Sequence, residues 1–102
     1  MISREDFVFT IGYDGALAVV DGKAKRQYGR LSTMELAEKG LYRSAFSSAL
    51  WAVSKSEANA ESDMKAFIDL FNKVTGTSYS RAEELQRLFG VAIEAVAKTL
   101  IL

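Results

Sequence analysis

Phe7-Val8-Phe9-Thr10-Ile11-Gly12-Tyr13-Asp14-Gly15-Ala16-Leu17-Ala18-Val19-Val20-Asp21-Gly22 decides the fold class of this chain. Two runs of β-branched, aromatic and aliphatic side chains flank Asp14-Gly15. That dipeptide is a strong hairpin signal, because both central residues of a type I′ turn need positive φ. With Asp14-Gly15 as a two-residue loop, Phe7, Phe9, Ile11 and Tyr13 share a face with Ala16, Ala18 and Val20. Val8 and Thr10 then share the other face with Leu17 and Val19. Large side chains oppose small ones, which presents an even surface to a helix. The second face is moderately apolar and needs partial cover, from this chain or from another copy.

Asp21-Gly22 repeats the turn signal, so a third strand is expected through residues 23–29. A three-residue loop with Gly22 left-handed sends Ala24, Arg26 and Tyr28 inward and keeps Lys23 and Lys25 out. Lysines suit an edge strand, where they discourage unwanted pairing.

Past residue 31 the period becomes helical. Ser32-Thr33-Met34-Glu35 is a capping box, and Gly40 followed by Leu41 fits a Schellman stop. A second helix, from about residue 41 to 55, carries Leu41, Tyr42, Ala45, Phe46, Ala49, Leu50, Ala52 and Val53 on one half. Arg43, Ser44, Ser47, Ser54 and Lys55 take the other half, with Trp51 among them. A third helix carries Met64, Phe67, Ile68, Phe71 and Val74 and stops at Gly76. Ser80-Arg81-Ala82-Glu83 caps a last helix that aligns Leu85, Leu88, Phe89, Ala92, Ile93 and Val96, with Gly90 inside it.

Within the deciding stretch, Gly15-Ala16-Leu17-Ala18-Val19-Val20-Asp21-Gly22 resembles the central hairpin of the roadblock and longin-type small domains, where a helix follows. The resemblance covers eight residues. Those families return to further strands before a last helix, whereas only helical patterns follow residue 31 here. No function is carried over from them.

Composition narrows the chemistry. None of the 102 residues is histidine or cysteine. The usual proton carrier at neutral pH, the strongest neutral nucleophile and the commonest zinc ligands are therefore missing together. Lys+Arg and Asp+Glu are 13 each, so no overall field steers the chain toward nucleic acid or anionic lipid. Near-zero net charge also removes the repulsion that keeps small proteins apart. Charged residues follow Met1 within six positions, so no signal peptide is read, and no apolar run is long enough to span a membrane. A cytoplasmic location is expected.

Several groups of residues are candidate sites. The basic run Lys23, Lys25, Arg26, Tyr28 and Arg30 has the makings of a single-stranded nucleic-acid surface, four cations with a stacking ring. An edge strand kept soluble by its lysines explains it more simply. Gly12-Tyr13-Asp14-Gly15 is a plain turn rather than a phosphate loop, since no Lys-Ser/Thr follows and Asp14 would repel an anion. Asp14, Asp21, Glu57, Glu61 and Asp63 supply the carboxylates of a metal-assisted enzyme. They lack the tight spacing of a metal cage, and acids ahead of a helix answer to its dipole. Ser44, Ser47 and Ser48 read as a solvated face or a helix–helix contact. Trp51 lies off the apolar half of its helix, where it either joins the core or meets a partner. Leu100, Ile101 and Leu102 are aliphatics at positions where chains usually fray, and so are either docked or shared.

The expected architecture is one α+β domain over residues 1–102: an N-terminal antiparallel β-meander of two or three strands within residues 6–29, then three or four packed helices within residues 33–100. The expected role is a non-enzymatic module with no cofactor that binds protein, foremost itself, through Trp51, Leu100, Ile101 and Leu102. Nucleic-acid binding through residues 23–30 is the alternative, and a metal-assisted carboxylate enzyme the second.

Overall fold

The hairpin forms in the computed structural model, which describes residues 2–93 and 96–102. Strands β1 (Thr10–Asp14) and β2 (Leu17–Val20) run antiparallel, with Tyr13 opposite Ala18 and Asp14 opposite Leu17. The loop is Gly15-Ala16, one residue later than the sequence suggests. Only its first position needs positive φ, and Gly15 supplies it at +58°, as in a type II′ turn. A bulge at Ile11, between the Thr10–Val20 and Gly12–Val19 pairs, reverses the pleat. Tyr13, Ala18 and Val20 therefore keep the inner face as expected. Thr10 takes the inner place foreseen for Ile11 and is 2% exposed, whereas Ile11 is 54% exposed. The Thr10 hydroxyl is satisfied by donating to the Asp6 carbonyl at 2.7 Å.

Phe7 and Val8 do not begin a strand. They close a short helix, α1 (Arg4–Val8), whose first turn holds Glu5 and Asp6 and whose cap is Ser3, accepting from the Asp6 N–H. Cap and dipole chemistry prevail over the β-propensity of Phe7-Val8-Phe9 because both side chains still reach the core from a helix.

The third strand expected over residues 23–29 is a helix, α2 (Gly22–Tyr28). Asp21 is its cap: its Oδ1 accepts the Ala24 N–H at 3.1 Å. Asp-Gly served here as cap and first helical residue, not as a turn. The third strand comes instead from the far end of the sequence. β3 (Lys98–Ile101) lies parallel to β2, so the sheet order is β1-β2-β3. The last helix accordingly stops well short of residue 100. It is α6 (Ala82–Phe89), ended by Gly90 at φ +64° with the Val91 N–H donating back to the Gln86 carbonyl at 3.1 Å. Gly90 is a left-handed stop, not an interior glycine, and the residue after it, Val91, is buried as such stops favour.

The remaining helices follow the sequence closely. α3 (Thr33–Glu38) has the Ser32/Glu35 capping box, and its end at Gly40 (φ +77°) has the Leu41 N–H on the Leu36 carbonyl. α4 (Tyr42–Ser54) packs against α1, α3, α5 and α6 and is the centre of the molecule. α5 (Ala60–Thr75) buries Met64, Phe67, Ile68 and Phe71 and ends at Gly76, while Val74 faces solvent. The cap of α6 lies one residue beyond expectation: Glu84, not Glu83, accepts from the Ser80 and Arg81 N–H groups. Between α5 and α6 the Asn72 amide bonds both the N–H and the carbonyl of Tyr79.

Around α4 the core is largely aromatic. Phe46 meets Phe67 and Phe89 at 6.1 and 5.5 Å, and Phe71 meets Phe67, Phe89 and Tyr42. Each such pair adds about 0.5–1.5 kcal/mol beyond the area it buries. The architecture is thus α+β: a small sheet, with helices packed on its inner face and on one another.

Candidate interaction surface

Burial along the strands separates the two faces of the sheet. Tyr13, Ala18 and Thr99 form one inner row, and Thr10, Val20 and Ile101 the other. The outer face carries Gly12, Val19 and Leu100 in one row and Asp14, Leu17 and Lys98 in the next. Leu17 and Val19 are half-buried and Leu100 is 48% exposed. Leu100 and Ile101 of β3, with Leu102 just past its end, thus sit beside a moderately apolar face, as the sequence leads one to expect of the hairpin.

β3 is an edge strand. Leu102 donates its N–H to the Val20 carbonyl at 3.0 Å, and Lys98 points its own toward Ala16. Alternation along a strand then turns the N–H and C=O groups of Thr99 and Ile101 toward the open edge. All four residues of β3 are exposed. Gly22 fixes where the strand ends: a methyl carbon built on it would stand 2.4 Å from the Leu102 carbonyl oxygen and 2.9 Å from the Ile101 Cγ2. Only glycine permits this approach.

Trp51 rests on other elements. It is half-buried, its ring 5.7 Å from that of Phe7, with the Lys55 ammonium 4.8 Å above it. It joins the margin of the core through α1.

The basic segment, as a helix, divides differently from a strand. Lys25 is bound to Asp6 at 2.6 Å. Tyr28 packs against the core, with the Lys39 ammonium 5.9 Å from its ring, and does not stand free to stack a base. Lys23 and Arg26 are exposed one turn apart on α2, and Arg30 is exposed in the turn that follows the helix. Arg26 and Arg30 border an open cleft of about 410 Å³ whose other wall includes Glu5.

Ser47, expected on the polar half of α4, and Ser48 are both buried. Ser48 Oγ is hydrogen-bonded at 2.9 Å both to an Arg4 Nη2 donor and to the Thr33 hydroxyl, which joins α1, α3 and α4. Of the two readings of these serines, the helix–helix contact is the one seen. From the sequence Arg43 is only one of the polar residues of α4. Its Nε donates to the Thr10 carbonyl at 2.9 Å and its Nη1 to the Phe89 carbonyl, so it ties the bulge of β1 to the end of α6. Burial pushes its guanidinium below the ordinary value, and Tyr13 opposes that in part. Its i, i+4 neighbours gave no hint of this, because both acceptors are backbone groups far away in sequence.

The carboxylates are occupied separately. Asp21 caps α2, while Glu61 and Asp63 sit in the first turn of α5. Among the described residues no three acids gather within reach of one metal ion, and no helix is long and apolar enough to cross a membrane. No protein-family model, curated protein or solved structure matches the chain.

Proposed function

We propose that this protein is a non-enzymatic interaction module of the cytoplasm whose partner is another copy of itself, and that the open side of its sheet is the surface used. One observation carries the reading: β3 is tied firmly into the sheet, yet Leu100, Ile101 and Leu102 are 48%, 49% and 66% exposed. Folded chains seldom hold adjacent aliphatics in regular structure while leaving them in water, and a neighbouring apolar face enlarges the patch. A zero net charge opposes such contact little. The absence of histidine and cysteine supports a binding role over a catalytic one. Sedimentation from about 1 µM to 1 mM, a range that spans weak to moderate affinities, tests it. Reversible association is expected, weakened at least tenfold by Leu100→Glu. A native chain that sediments as a monomer throughout defeats the reading.

A second reading draws on Lys23, Arg26 and Arg30. Two exposed cations on α2 and a third in the turn after it, outside any ion pair among the described residues, favour contact with a phosphate backbone. A labelled single-stranded oligonucleotide should bind at low salt and lose affinity with Arg26→Glu. An unchanged signal for the two proteins disposes of it.

A further inference from the structure

Building on the self-association proposed above, we infer that the two copies meet strand to strand: β3 pairs with β3 of a second copy, antiparallel, about a two-fold axis at Leu100, and the two three-stranded sheets become one of six strands.

The open hydrogen-bonding groups define the register. Thr99 and Ile101 are the residues of β3 whose N–H and C=O groups face away from β2, as the Leu102 bond to Val20 requires. In an antiparallel pair centred on Leu100, Thr99 of each copy lies opposite Ile101 of the other. Each such pair exchanges both of its backbone bonds, and all four residues that bring open groups to the edge are satisfied. An edge displaced by one residue places Thr99 opposite Thr99 or Ile101 opposite Ile101 and pairs fewer of them within residues 98–102.

Side chains agree with that register. Leu100 meets its own copy on the outer face, in the close, non-hydrogen-bonded kind of pair. Val19 and Leu100 of each copy then form one apolar row across the joint. On the inner face Thr99 meets Ile101, a β-branched pair of the type that stabilises sheets. Lys98, the only charge on the strand, falls opposite Leu102 instead of its own copy, with Asp21 one strand further on. Like charges therefore stay apart and an acid comes within reach, which suits a second copy. Of the devices that commonly blunt sheet edges, β3 has its short length and Lys98, whose charge this register keeps away from its own copy, but no proline, bulge or inward charge.

Because the chain has no cysteine, a single substitution supplies a unique thiol. In a non-hydrogen-bonded antiparallel pair the Cα atoms lie about 4.5 Å apart, inside the roughly 4.4–6.8 Å that a disulfide spans. Leu100→Cys should give a covalent dimer under mild oxidation, and Lys98→Cys, four positions from its own copy, should not. In the unmodified chain, amide exchange at Thr99 and Ile101 should slow at least tenfold between dilute and concentrated samples, with little change at Leu100. A dimer by mass in which Leu100→Cys stays unlinked, or in which Leu17→Cys links instead, overturns the strand pairing and leaves self-association standing. Concentration-independent exchange at Thr99 and Ile101 in such a dimer does the same. A chain that is monomeric by mass ends both.

Discussion

Gly22→Ala sets two physical arguments against each other. Gly22 is the first residue of α2, where alanine is the better helix former and loses less chain entropy on folding. On that ground alone the substitution stabilises by up to about 0.5–1 kcal/mol. The tertiary structure argues the opposite. The added carbon would lie 2.4 Å from the Leu102 carbonyl oxygen, against the roughly 3.3–3.6 Å at which carbon and carbonyl oxygen rest. The Ile101 Cγ2 stands beside that oxygen, 2.9 Å from the added carbon, so shifting one atom does not clear the space. Either α2 or β3 must move by close to an ångström, and overpacking of this kind costs about 1–3 kcal/mol. For a domain of this size each kcal/mol is roughly 4–8 °C of melting temperature. With a helical gain of about 0.5 kcal/mol subtracted, roughly 0.5–2.5 kcal/mol of loss remains, so thermal unfolding followed by circular dichroism should show a fall of about 2–20 °C for Gly22→Ala. Gly12→Ala is the control, since its added carbon meets nothing within 4 Å. If Gly22→Ala melts at or above the parent temperature, the tight approach of β3 to α2 is wrong, and with it the placement of the exposed strand.

Arg43→Met should lower stability by about 2 kcal/mol or more, because the Thr10 and Phe89 carbonyls both lose their donor. Arg43→Lys should restore little of it in the same urea titration, since one ammonium cannot span two acceptors. Acid sensitivity should trace to the helix caps. The Ser32 backbone N–H, then its hydroxyl, hold the Glu35 carboxyl below its ordinary 4.5, and the Ser80 and Arg81 N–H groups do so for Glu84. Groups lowered by folding stabilise fully above their unfolded value, and that share is lost as pH falls from 4.5 through the lowered folded values. Glu35→Gln with Glu84→Gln should thus flatten the melting temperature between about pH 5 and 3 and leave its remaining acid loss to other groups. An undiminished slope removes the caps from the account.

Where local chemistry had a single meaning, the sequence led directly to the structure. Ser32 with Glu35, Gly40 with Leu41, and Gly76 each mark a helix end by backbone geometry that few other arrangements need. Where one signal serves two ends, it misled. Asp21-Gly22 can open a turn or cap a helix, and the choice fell to α2 because Asp21 could satisfy the Ala24 N–H. Gly90 has the same ambiguity between an interior and a stop. β3 was invisible for another reason: parallel pairing with β2 needs no turn and leaves no local mark, since its partner lies some eighty residues away. The bulge at Ile11 is likewise a property of the pair, not of either strand. For the surface, the aliphatic character of Leu100, Ile101 and Leu102 was legible in the sequence. Their membership of a sheet edge was not, and it is this that gives them an orientation. Arg43 was legible only as polar, because its two acceptors belong to backbone brought near by the fold.

Light scattering of the native chain, coupled to size separation and repeated at rising concentration, tests self-association most directly. The account predicts a mass climbing from 11.2 kDa toward twice that value, and falling back on dilution. A mass fixed at 11.2 kDa to the highest concentration reached contradicts it.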